Sequence, residues 1–517
     1  KNYRLYYFMF FVSLVVISCT KNFVKINTNP AKLTQIGPTE FGFMFSRAES
    51  AATIHRPYYQ TIEINMPDLY AQYLSLTTTS FTTDRYAFND TWLSRPGIIT
   101  YVLVMPQLQA ILDNTDPASA QHSLANIMKA YTFQRLTDEY GPVPYFNAGS
   151  AASSIPYDSQ EAIYDDLFKV LDSAVTNLKA GDTTVNVFGN QDIIYNGNIP
   201  NWIRFANTLR LRMALRISNI DPAMARQEAE AAVLSGVLTS NSQNATIQRS
   251  LSGDDANGLA FNGADNESSM SSTMASYLKG YNDPRLGVYF QPAIATGQFK
   301  GLRNGSSATE INSPGNRPQQ TSNIGTGWVT WNGSSWVANL GRRSEVMASA
   351  EAYFLLAEGA LNGWNMGGGS AREYYEEGIT LSMQQWGITD NAIIQQYISS
   401  DATPVAPGDE ANSPAVSDIP ILWGSTESVQ RAQIGTQKWL AVFPDGIEAW
   451  SGFRRTGYPT MYPLLESDNP DLPIPNFVQR LPYSSVDAAT NGAALLGGIQ
   501  LLGGPNTGAT PVWWAKK

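Results

Sequence analysis

The chain has 517 residues, 43% of them apolar, enough for a large core, but only 15% are Asp, Glu, Lys or Arg. A net charge of −10 leaves no basic face for nucleic acid. Two His and one Cys argue against His-built metal cages, His-dependent triads, internal disulfides and Cys-x-x-Cys chemistry. The surface must then rest on Asn, Ser, Thr and Gln, a composition suited to neutral polar ligands.

Lys1 and Arg4 precede an apolar run over 5–18. That run falls short of the ~20 residues a bilayer span needs and matches the core of a signal peptide. It ends Val16-Ile17-Ser18-Cys19, an aliphatic–small–Cys order similar to a bacterial lipobox. Cys19, the only thiol, is therefore the expected lipid anchor, and several acyl chains on it would hold the protein durably at a membrane. Removing 1–18 takes away Lys1 and Arg4 and moves the net charge from −10 to −12. Residues 19–38 read as a lipidated tether.

Residues 39–235 read as an N-terminal helical region. Phe41 to Tyr73 has helical spacing, and helices are predicted over 96–113, 118–140, from about 158 to 178, 200–217 and 222–234. Gly141-Pro142 breaks the second of these, and Asp158 with Glu161 is expected to cap the third. Arg204, Arg210, Arg212 and Arg216 on one helix read as ion pairs that staple neighbouring helices. Residues 236–342 are rich in Ser, Asn and Gly and read as a loop-rich, ligand-binding insertion with short strands or hairpins. Helices return at 344–361, 371–386, 391–400 and 427–442, and 451–517 read as irregular. The C-terminal region, 343–517, is expected to pack with the N-terminal region as one body. The fold expected is mainly α, with helix pairs forming a tetratricopeptide-like scaffold around a loop-rich insertion carrying short strands, although no clean 34-residue repeat is present.

HExxH, GxSxG, Walker A and GxGxxG are all absent. Adjacent carboxylates such as Asp138-Glu139 and Asp165-Asp166 read as solvated helix surface. Asp254-Asp255-Ala256-Asn257 resembles a calcium loop but lacks the EF-hand pattern, so no cofactor is expected. Pyranoses have apolar faces and polar rims, which aromatic rings and Asn, Asp or Arg recognise. Arg85, Tyr86, Asn89 and Trp92 bring those residue types together in one loop, with a helix cap and a packing Trp as the plainer reading. Trp328, Trp331 and Trp336 crowd nine positions of the insertion, where a small satellite core is the alternative to a ligand platform.

Further motifs extend the pattern. They include Leu136-Thr137-Asp138-Glu139-Tyr140-Gly141-Pro142-Val143-Pro144-Tyr145 and Trp202-Ile203-Arg204-Phe205-Ala206-Asn207-Thr208-Leu209-Arg210-Leu211-Arg212. Next come Asn282-Asp283-Pro284-Arg285-Leu286 and Ala350-Glu351-Ala352-Tyr353-Phe354-Leu355-Leu356-Ala357-Glu358. Gln437-Lys438-Trp439, Glu448-Ala449-Trp450, Arg454-Arg455-Thr456-Gly457-Tyr458-Pro459 and Val512-Trp513-Trp514 complete the order. With Cys19, this series resembles the SusD/RagB family of nutrient-binding outer-membrane lipoproteins, in its second SusD-like branch. The resemblance implies four tetratricopeptide-like helix pairs and a loop-rich partner region that builds the ligand site. It also implies a non-enzymatic role: capture of oligosaccharides, or of oligopeptides, and delivery to a SusC-like TonB-dependent transporter. The family's sugar sites use aromatics from the loop before an early helix and from the middle insertion, where Arg85, Tyr86, Asn89, Trp92, Trp328, Trp331 and Trp336 fall by position. An outward-facing outer-membrane location follows from the resemblance alone, because Thr20-Lys21-Asn22-Phe23 lacks the acidic cluster that often marks surface export. A lipid-anchored glycoside hydrolase with a helical body, or a repeat scaffold that binds only protein, are the alternatives.

Overall fold

A computed structural model of the chain describes residues 37–150, 152 and 154–516. Cys19, the signal segment and the tether up to residue 36 lie outside the described residues. Gly42–Lys517 forms one compact unit.

In chain order the N-terminal helices are α1 (Pro38–Ala52), α2 (Arg56–Tyr59, continued by a π-helical stretch Gln60–Asp68), α3 (Asp90–Leu93), α4 (Arg95–Ile98), α5 (Met105–Asp113), α6 (Ala120–Tyr140), α7 (Gln160–Ala180), α8 (Ile199–Arg216) and α9 (Pro222–Ser235). The middle holds α10 (Gly258–Asp265), α11 (Ser272–Gly280), α12 (Leu286–Tyr289) and α13 (Ala308–Ile311). The C-terminal helices are α14 (Ser349–Leu361), α15 (Ala371–Gln385), α16 (Asn391–Ile398), α17 (Glu427–Ala441), α18 (Gly446–Thr456) and α19 (Ser485–Leu502). Among the described residues, six short strands, β1 (Leu74–Leu76), β2 (Ala245–Ile247), β3 (Ser268–Met270), β4 (Val329–Trp331), β5 (Trp336–Ala338) and β6 (Ser344–Met347), form three two-stranded antiparallel ladders: β1 with β3, β2 with β6, and β4 with β5.

Helix ends follow local chemistry. Ser119 caps α6 by accepting from His122 N at 3.2 Å, and the helix ends at Gly141, whose φ of +84° an L side chain rarely adopts. α7 is capped by Ser159, which accepts from Ala162 N at 3.2 Å, and not by Asp158. The Asp158 carboxylate is drawn away instead to the backbone N–H groups of Tyr145 and Phe146, each at 2.9 Å. Two helices occupy the C-terminal stretch expected to be irregular. Asp445 caps α18 and Gly457 (φ +79°) closes it, while a Ser484/Asp487 capping box starts α19. α19 runs through glycines at 492, 497 and 498, and Gly498 is where it meets the Tyr157 ring: a Cβ there would lie 2.7 Å from it.

The long helices pair with their sequence neighbours: α6 with α7, α8 with α9, α14 with α15, α17 with α18. The α8 arginines join the pairs. Arg212 forks onto Glu351 of α14 with both bonds at 2.7 Å, and Arg210 reaches Glu228 of α9 (2.6 Å) and Asp172 of α7 (2.7 Å). Arg216 meets Glu448 of α18 and sits 3.2 Å from Asp138 of α6. Among the described residues, Arg204 donates within its own helix, to Pro200 O, and forms no ion pair. Arg455 of α18 forks onto Glu358 of α14 at 2.6 Å. Asp138 and Glu139, expected on solvated surface, are buried instead, because α6 is enclosed on every side near its C-terminus. Asp138 accepts from the Tyr164 hydroxyl (2.5 Å) and from the Trp514 indole (2.8 Å).

The middle region is stitched to the first. β1 pairs with β3, so the loop after β1 emerges beside the segment that follows α10. The β4–β5 hairpin projects over Asn332–Ser335 and packs through both strands on α10.

Candidate ligand-binding site

The loop from Thr77 to Asn89 is fixed at its base. Thr77 donates from its N–H to Glu267 O (2.9 Å) and from its hydroxyl to Asn266 O (2.7 Å). Buried Asp84 accepts from Ser75 Oγ (2.9 Å), Leu76 N (3.2 Å) and Asn304 Nδ2 (2.7 Å). Burial pushes its carboxyl up to about 6.

The sequence-predicted residues of this loop have different fates. Tyr86 adopts φ +63° and is buried with its ring against Tyr70 at 5.9 Å, so it has no face to offer. Arg85 remains partly open, pairing with Asp468 at 2.8 Å and reaching Ser306 O at 3.3 Å. Asn89 caps α3, accepting from Trp92 N at 3.2 Å. Trp92 is half-buried, edge-on to Phe81 at 5.3 Å. Phe81, which sequence reading left out of the site, is the partner that holds this ring at the surface.

On the hairpin, Trp331 stands directly opposite Trp336, with ring centroids 5.3 Å apart and planes at 64°, both half-buried. The turn is self-contained: Asn332 Oδ1 accepts from Ser334 N and Ser335 N, each at 2.9 Å, and Gly333 takes φ +99° at the tip. Trp328 belongs to the core. It is 2% exposed, packed against Trp386 and Phe443, with the Arg342 guanidinium 4.1 Å over its ring. It pins the base of the hairpin whose tip carries the other two.

The segment α10–β3 carries the hairpin with one half-open aromatic pair and holds the base of the loop that leads to the other. Its far end holds the Thr77 loop, and Gly263 of α10 meets Ile324 and Val329 under the hairpin so closely that a Cβ would fall 2.4 Å from Ile324 Cδ1. Exposed Phe261 carries the Arg56 guanidinium at 4.7 Å, and Gln60 donates to Glu267 at 2.7 Å. Partial burial raises the Asp265 and Glu267 carboxyls above their usual range. The surface thus offers half-open indole and phenyl rings with amide and carboxyl groups near them, a set fit for a neutral polyhydroxyl ligand.

Asp254 lies 3.9 Å from Arg56, and Asp255 accepts from Ser50. Among the described residues, no three His, Cys, Asp or Glu side chains converge as a metal cage. Two hollows among the described residues contain none of the sequence-predicted residues. One, of about 640 Å³, lies between α14, α17 and α18 and is lined by the paired charges Arg455–Glu358 and Lys438–Glu448. The other, of about 390 Å³, lies beside α3 and α19.

The pattern of the SusD-like family, described as Susd and RagB outer membrane lipoprotein, matches residues 26–515. A search of curated proteins finds no match. Among solved structures, a chitin-binding SusD homolog from Flavobacterium johnsoniae is 33% identical, with a TM-score of 0.84 over 93% of this chain and 99% of that one. A SusD homolog from Bacteroides thetaiotaomicron is 29% identical, with a TM-score of 0.81 over 93% and 100%. One from Bacteroides uniformis is 28% identical, with the same TM-score and coverage. Mainly helical, paired in its long helices and matched over nearly its whole length, the chain belongs to the SusD/RagB family of outer-membrane lipoproteins.

Proposed function

We propose that this protein captures oligosaccharides, foremost of the chitin class, outside the outer membrane and hands them intact to a SusC-type TonB-dependent transporter. The observation that carries the reading is the Trp331–Trp336 pair: two half-open indoles on an uncharged hairpin tip, held in place by a buried third Trp. An indole pair so placed stacks on the apolar faces of sugar rings, while Asn and Ser side chains suit their hydroxyls. Trp92 with Phe81, on the loop that α10–β3 holds at its base, supplies a second platform. SusD-like proteins bind nutrients and are associated with SusC-like transporters, and the Flavobacterium johnsoniae homolog is described as chitin-binding. Capture rather than cleavage fits a chain without a recognisable catalytic motif. Cys19, through its lipid, is the proposed anchor.

Calorimetric titration of the chain from residue 20 with chitin, β-glucan and α-glucan oligosaccharides, and with mixed peptides, tests this. Each sample is then checked by mass spectrometry. Binding of chitooligosaccharides that stay intact is the expected result. Cleaved products would replace the reading with a hydrolase, and preference for peptides would replace the ligand class.

A further inference from the structure

The hollow of about 390 Å³ is a built cleft. Its walls are the rings of Tyr101, Tyr140, Tyr157 and Tyr483. Three hydroxyls are tied to the backbone: Tyr101 donates to Pro144 O (2.7 Å), Tyr483 to Pro142 O (2.6 Å) and Tyr140 to Leu93 O. The rings are thereby fixed, and what they leave for an occupant is aromatic surface. Tyr140 and Tyr483 lie parallel, with planes at 6°, and Tyr157 stands edge-on to Tyr483 at 5.3 Å.

One side is clamped by Asn491, the residue at which α19 leaves helical geometry (φ −143°, ψ 31°). Its amide donates to Ile155 O (2.7 Å) and accepts from Ile155 N (3.0 Å), joining the helix to the opposing wall. Asp487, Thr490 and Asn491 bring polar groups to an otherwise aromatic cleft. Ligand pockets of roughly this size, 300–1,000 Å³, typically combine apolar walls with a few polar groups.

The cleft adjoins the candidate site through one turn of helix. Leu93 and Ser94 line it, Trp92 carries the half-open ring that meets Phe81, and Asp90 holds the start of α19 by accepting from Ser485 N at 2.8 Å. A helix with its side chains is ~10–12 Å across, so one chain of several sugar units can reach both features.

We propose that this tyrosine-walled cleft is a second carbohydrate subsite, taking an acetamido-bearing pyranose unit of the same oligosaccharide that stacks on Trp92. The inference rests on the glycan reading above. Its consequence is a dependence on chain length: an oligosaccharide long enough to reach both places gains from the second contact without a second association step.

The test titrates chitobiose through chitohexaose into the wild-type chain, into Ala148→Leu, which fills the cleft from its rim, and into Tyr157→Ala, which removes one wall. Circular dichroism and melting identify any variant that has lost its fold, and the other then decides. The expected result is that a folded cleft variant binds chitohexaose about tenfold more weakly and chitobiose almost unchanged. Chitohexaose bound equally well by wild type and both variants would overturn the subsite while leaving the glycan reading intact. Wild type that binds no chitooligosaccharide of any length would overturn both.

Discussion

Trp328, Trp331 and Trp336 sit within nine residues of one polar stretch, yet the fold assigns them two kinds of work. Trp328 fills core against Trp386 and Phe443, so Trp328→Ala should cost about 3–5 kcal/mol and lower the melting temperature sharply. Trp331→Ala removes a half-open ring and should change stability by less than about 1 kcal/mol. Thermal melts of the two variants check the contrast, and equal losses would place both rings in the core. The sequence could not separate them, because the partners that bury Trp328 come from more than fifty residues further along the chain. Tyr86 was opaque for a different reason: its neighbour Tyr70 is close in sequence, but only the left-handed backbone at Tyr86 turns the ring inward. Asn89 as a helix cap was legible, since the capping chemistry is local. The proposed Cys19 anchor rests on local sequence alone: Cys19→Ala should leave the protein in the soluble fraction, and a variant that still sediments with membranes would contradict lipid anchoring.

Among the elements, the helix pairs were the most legible feature, because apolar spacing and polar caps are written within each helix. α19 was hidden by its glycines, and the buried acids at the end of α6 by the assumption that adjacent carboxylates face water. What locks the pairs together is charge. Glu448 of α18 meets Arg216 of α8 and Lys438 of α17, with Arg212 3.5 Å away. These cations hold its carboxyl below the usual range despite burial. Such a cluster is weak evidence of net stability, but deleting one member strands the others. Glu448→Ala should therefore cost about 3–5 kcal/mol, read from the urea midpoint of unfolding. A loss below about 1 kcal/mol would show that water reaches the cluster.

Across the whole molecule, the buried acids set how stability varies with pH. Arg135 serves two carboxylates, Glu63 at 2.9 Å and Asp445 at 2.9 Å. Burial pushes Glu63 up to about 8 and holds Asp68 and Glu139 well above the usual carboxyl range. The folded chain therefore binds these protons more tightly than the unfolded chain, and stability falls as pH rises towards 8. His55 acts oppositely, since burial lowers it to about 4, but its effect ends near 6.5, where the unfolded imidazole loses its proton. Between pH 6.5 and 8.5 the melting temperature should fall, and Glu63→Gln should flatten the slope; a wild-type slope that is flat or rising would contradict this. In the proposed function, half-open indoles on a helical lipoprotein scaffold hold a glycan without cutting it. The most direct measurement is a tryptophan-fluorescence titration of chitohexaose into the wild-type chain and a Trp331→Ala/Trp336→Ala double variant, with the sugar recovered and weighed by mass spectrometry. Saturable change in the wild type, binding weakened at least about tenfold in the variant, and intact sugar are expected. Equal binding by both proteins, or shortened sugar, would contradict it.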